Sequence, residues 1–181
     1  MLALLISGLG LWDSHRDRVR QEEDRIASRK ADQRAATFVL TANAMAHDVL
    51  KLRPTRDDQV IQDQQIYLPS SIRSAPITTT GDARIESDWF ADAVRKREQE
   101  KTSGGDHRLP VGIVTTYLAD GDLRTDTAIY DIGYTAHSRF LLGSEIQLKG
   151  ISLLRRHEGS DLQAAVSSIW QQRLAKDRPA S

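Results

Sequence analysis

The chain has 181 residues, 39% hydrophobic and 28% charged, which suits one domain with a modest core and a large polar surface. Lysine plus arginine and aspartate plus glutamate each total 25, so the formal net charge is zero and no global field draws in nucleic acid; nucleic-acid binding is disfavoured. Cysteine is absent, which excludes disulfides, thiolate metal sites and cysteine nucleophiles together.

Met1 to Trp12, MLALLISGLGLW, is apolar throughout, with no basic residues in front of it and no small-residue cleavage site. A spanning helix needs about 20 apolar residues. The run is therefore read as the outer end of a longer membrane anchor, with Trp12 at the interface. The expected location is a single-pass, membrane-anchored protein whose soluble domain is periplasmic or otherwise extracytoplasmic.

From Asp13 to Arg34 acidic and basic residues alternate without proline or glycine. Arg18 with Glu22 and Arg20 with Asp24 fall at helical neighbour spacing, so residues 13–36 read as a solvated helical stalk. Val19, Ile26, Gln33 and Leu40 recur every seven residues, but the companion seam at Glu22, Arg29, Ala36 and Asn43 is polar or small. That pattern leaves a coiled-coil homo-oligomer open without indicating it.

After Ala35 the sequence AATFVLTANAMAHDVLKL places Phe38, Met45, Val49 and Leu52 on one helical stripe, broadened by Leu40 and Ala44. The helix is expected to pack on a sheet and to stop before Pro54. Residues 56–68 fit either a helix capped by Thr55 or a strand through Val60, Ile66 and Tyr67. A polar loop from Pro69 should carry one short strand near Ile77 to Thr80, and Ser87 can cap a helix from Asp88 to about Lys101.

Val111 to Arg156 has strand composition, with turn residues at Asp120-Gly121, Gly133, Gly143 and Lys149-Gly150. Ala128, Tyr130, Ile132 and Tyr134 should share one face of a strand and Thr125, Thr127, Ile129 and Asp131 the other, with a bulge near Gly150. Ser160 and Gln163 form a capping-box pattern ahead of an amphipathic helix through Leu162, Val166 and Ile169. The expected fold class is α+β: a long N-terminal helix and an antiparallel β-meander of three to five strands packed against two or three helices. The expected domain spans 37–176, followed by a disordered tail at 177–181.

Three constellations could carry chemistry. Tyr117, Tyr130 and Tyr134 could line a ligand pocket. His107, His137 and His157 fall near strand ends and could meet at one rim as metal ligands, although no H-E-x-x-H pair supports zinc. Asp120, Asp122, Asp126 and Asp131 with Arg124 read as a polar hairpin tip, since the spacing lacks a calcium loop's frame. No nucleophile elbow or phosphate-binding loop occurs, no catalytic residue stands out, and no cofactor is expected.

In outline, an apolar anchor, a helical stalk and a small domain with a curved antiparallel sheet resemble the periplasmic subunits of secretion machines built on the nuclear transport factor fold, or the extracytoplasmic part of a sensor. That resemblance is architectural and implies no residue roles. The leading expectation is a non-enzymatic, membrane-anchored module mediating protein–protein interaction or assembly in the cell envelope. An extracytoplasmic ligand-sensing domain is the alternative, and a metal-dependent hydrolase comes third.

Overall fold

The computed structural model describes residues 37–99, 106–139 and 143–176. The expected anchor at 1–12, the stalk at 13–36, the segment Phe140 to Leu142 and the tail at 177–181 lie outside the described residues. Apart from Thr37, the described residues belong to one compact unit that begins at Phe38.

In chain order its elements are β1 (Leu40–Ala46), β2 (Val49–Pro54), β3 (Gln59–Tyr67), β4 (Ile77–Thr80), β5 (Arg84–Glu86), a single 3-10 turn at Ser87–Trp89, α1 (Ala91–Gln99), β6 (Asp106–Ala119), β7 (Asp122–Arg139), β8 (Gly143–Arg156) and α2 (Leu162–Lys176). They form two antiparallel sheets, ordered β1-β2-β5 and β4-β3-β6-β7-β8. This corrects the expected α+β class: the described chain is mostly β, and no long N-terminal helix is found in it.

The error lies in residues 38–52. Phe38, Leu40, Leu50 and Leu52 are all buried, and their spacing within each strand is two, the period of a sheet. The chain reverses at His47 and Asp48, so Leu40 faces Pro54 and Ala42 faces Leu52. A reversal placed between two short apolar runs produces spacings of three, four and seven across it, and these mimic a helical stripe. Residues 56–68, which fit both periods, contain strand β3 with Ile66 buried.

The remaining elements follow their local chemistry. Asp120 and Gly121 adopt φ of 54° and 84°, the left-handed pair a two-residue hairpin between β6 and β7 requires. Gly133 pairs with Gly150 while Tyr134 pairs with Leu148, so Lys149 is an extra residue and a bulge sits beside Gly150. The cap of α2 is Asp161, whose Oδ1 accepts the Ala164 amide at 2.8 Å. Gln163 does not close a capping box; its amide donates to the Leu68 and Arg73 carbonyls at 3.3 and 2.8 Å.

The two sheets bury their inner faces against each other. Leu40, Leu50, Leu52 and Ile85 from the small sheet, with Phe38 just before β1, meet Val111, Ile113, Tyr117, Tyr130, Ile132 and Tyr134 from the large one. The aromatic face of β7 is thus covered chiefly by the small sheet where helices were expected, with Phe90, just before α1, also reaching the Tyr134 ring at 6.0 Å. The opposite face of the large sheet, its outer face, receives α2, where Leu162 and Val166 pack on Ile129.

Contact between α2 and the sheet is closest at Gly112, where a Cβ would lie 2.5 Å from Leu162 Cγ. Gly112→Ala should therefore destabilise the domain by about 2 kcal/mol through overpacking. In urea melts, adding Leu162→Ala to Gly112→Ala should cost less than the sum of the two single losses, because the methyl then has room. Strict additivity would contradict this seating of the helix.

Candidate functional site

Tyr117, Tyr130 and Tyr134 all point into the core between the sheets. The Tyr117 ring stacks on Phe38 with centroids 4.2 Å apart. The Tyr130 hydroxyl accepts the Leu40 amide at 3.2 Å. Tyr134 lies 6.0 Å from the Phe90 ring and 5.4 Å from the His107 ring. Tyr134 also borders a surface cleft.

Burial raises the pKa of Tyr117, with the nearby Asp126 carboxylate adding to the effect. Burial likewise pushes Tyr130 up to about 12 from an ordinary 10.0. The stability this phenol contributes is complete below its unfolded pKa and is lost as pH rises toward the native value, a swing of about 3 kcal/mol. Tyr130→Phe should cost about 1–2 kcal/mol at neutral pH by orphaning the Leu40 amide. It should also lose less further stability than the parent between pH 10 and 12 in urea melts, whereas equal alkaline losses would contradict the assignment.

A half-buried polar clamp sits beside these rings. Asp126 forms an ion pair with Arg156, and the same guanidinium donates to the Phe38 carbonyl at 2.6 Å. With the Tyr130 to Leu40 bond, this fixes both sides of the peptide segment at which the domain begins. Burial raises the Asp126 carboxyl above its usual range, and Arg156 opposes the rise without cancelling it. The sign follows from linkage: the contribution of Asp126 is greatest at acid pH and declines as pH climbs through its raised native pKa.

The expected acidic cluster does not converge. Asp120 and Asp122 are exposed at the hairpin, with Arg124 at 3.6 Å from Asp122. Asp126 faces inward, whereas Asp131, an odd number of residues along β7, faces outward and is held by Arg173 through two bonds of 2.7 and 3.0 Å. The histidines also separate. His107 pairs with Tyr134 and the His157 amide bonds the Thr127 carbonyl, positions roughly 23 Å apart along β7 at strand rise. His137 pairs with Glu145 across β7 and β8, and its side chain lies outside the described residues. Among the described residues no group of three histidine or acidic side chains is arranged to hold a metal ion.

The cleft that Tyr134 borders opens on the outer face of the large sheet and encloses about 260 Å³. Its floor is set by register: Arg108 of β6, Gly133 of β7 and Gly150 of β8 are direct neighbours across three strands. Asp106, Lys149 and Ser152 complete its walls together with Asp131, whose carboxylate is held by Arg173. Sequence reasoning missed this site because Gly133 and Gly150 read as turns. It also missed both ion pairs to the buried carboxylates, whose partners are 30 and 42 residues apart and leave no local spacing to find.

Compared with protein-family models, with curated proteins and with solved structures, the chain matches none.

Proposed function

We propose that this chain is a non-enzymatic module, attached to a membrane through residues 1–12 and acting outside the cytoplasm, whose β-rich domain binds a protein partner or assembles in the cell envelope. The observation that supports a docking role is a cross-strand apolar row on the outer face. Val60, Leu118 and Leu123 are direct neighbours across β3, β6 and β7, and Val60 and Leu123 are 55% and 67% exposed. Three aligned apolar side chains on an open sheet face form a contiguous patch of the kind that marks an interaction surface.

The attachment rests on the sequence of Met1 to Trp12, an apolar run joined directly to alternating charges. Among the described residues no helix is long and apolar enough to cross a membrane. The non-enzymatic reading draws support from the two most buried carboxylates, Asp126 and Asp131, each of which is engaged by an arginine in a structural pair.

Fractionation of cells producing the full-length chain should place it in the membrane pellet after alkaline carbonate washing; a wholly soluble protein would sink the attachment. Native electrophoresis of the solubilised chain should show an assembly larger than the monomer. The double variant Val60→Asp/Leu123→Asp changes only exposed positions and should release it. A monomer at the outset, or an assembly indifferent to both charges, would overturn the docking role.

A further inference from the structure

We propose that the cleft floored by Gly133 and Gly150 is a binding site for a small planar organic carboxylate, laid flat on the paired glycines and held by Arg108 and Lys149. The inference is independent of membrane attachment and of the apolar row.

The glycines carry the argument. Glycine inside a strand is destabilising by roughly 0.5–1 kcal/mol relative to alanine, so two of them side by side in neighbouring strands need a reason. Backbone conformation does not supply one, because the positive-φ glycines among the described residues are Gly81 and Gly121. The bulge at Lys149 does not require a left-handed Gly150 either. Packing is equally undemanding: a Cβ at Gly133 would meet Lys149 Cβ at 3.6 Å and the Gly150 carbonyl at 4.0 Å, and one at Gly150 would meet nothing within 4 Å. Gly112 shows the contrast, since there the chain's own Leu162 fills the space. Glycine in a strand also marks the close approach of another group to the backbone. Among the described residues nothing lies within 4 Å of a Cβ built at Gly150, so the paired glycines leave room for a bound group to lie against the backbone.

The charges select its chemistry. Asp131 is saturated by Arg173. Lys149 gives one bond to Gln147 at 3.0 Å and keeps further donors. Arg108 and Asp106 are exposed and have no ion-pair partner among the described residues. Two cations with free donors therefore stand against one free carboxylate, a balance that favours a monoanion, and the planar guanidinium matches a carboxylate in two-pronged geometry. Asp106 remains available to accept from a hydroxyl on the ligand. Two bare peptide planes suit a flat ring, and about 260 Å³ is below the range usual for larger ligands.

The test uses the full-length chain labelled at glycine nitrogen and titrated with benzoate. Saturable shifts of the Gly133 and Gly150 amides are expected, with Gly112 unmoved. Arg108→Gln should weaken binding about tenfold or more, and the neutral isostere benzamide should be weaker than benzoate by a similar factor. Gly150→Leu should abolish binding by filling the cleft, while an unchanged melting temperature confirms that the fold tolerates it. Absence of saturable shifts at millimolar benzoate would overturn the proposal. Equal binding of benzamide or of inorganic phosphate, or equal binding by Arg108→Gln, would also overturn it.

Discussion

Phe38→Ala should lower the stability of the domain by about 4 kcal/mol, within the range for removing a buried aromatic ring. Phe38 is 0% exposed and its ring faces Tyr117 at 4.2 Å, so truncation opens a void between the two sheets that neither can readily close. Domains of this size are stable by only about 5–15 kcal/mol, so the loss is a large fraction of the whole. Urea denaturation followed by tyrosine fluorescence measures it. Phe38→Leu retains more volume and should recover more than half of the loss. A cost below 1 kcal/mol for the alanine variant would mean that the segment leading into β1 is not part of the core.

Arg173→Ala should cost about 3 kcal/mol, because it strands the Asp131 carboxylate, which is 4% exposed, without its bidentate partner. The reverse change, Asp131→Ala, should cost less, since Arg173 is the more exposed partner and can turn toward water. Asp131→Asn in the Arg173→Ala background should restore part of the loss by removing the uncompensated charge. If the two single variants lose the same stability and the double variant recovers none, the buried charge is not the cause.

What the sequence disclosed was what short-range chemistry determines. Asp120-Gly121 announced the hairpin because positive φ at two successive residues is demanding, and alternation along β7 separated Ala128, Tyr130, Ile132 and Tyr134 from Ile129 on the opposite face. Leu162 and Val166 were read onto the buried stripe of α2, although its third buried residue is Trp170 and not Ile169. The segment from Phe38 to Leu52 was misread because apolar residues on either side of a reversal satisfy two periods at once. The Asp126–Arg156 and Asp131–Arg173 pairs were illegible for a different reason: their partners meet only through the register of distant elements. The cleft combined both difficulties, since a glycine in a strand and a glycine in a turn look the same until its neighbour across the ladder is known.

The bonds at the start of the domain also impose an order in time. The Leu40 amide waits for Tyr130, 90 residues later, and the Phe38 carbonyl for Arg156, 118 residues later. At a synthesis rate of about 5–20 residues per second, that interval is on the order of 5 to 25 seconds. The hairpin of β6 and β7 closes across two residues and needs nothing upstream, so it can form as soon as it emerges. The strand made first is therefore the one secured last, and during the delay its apolar residues depend on the β1–β2 reversal alone to stay out of other company.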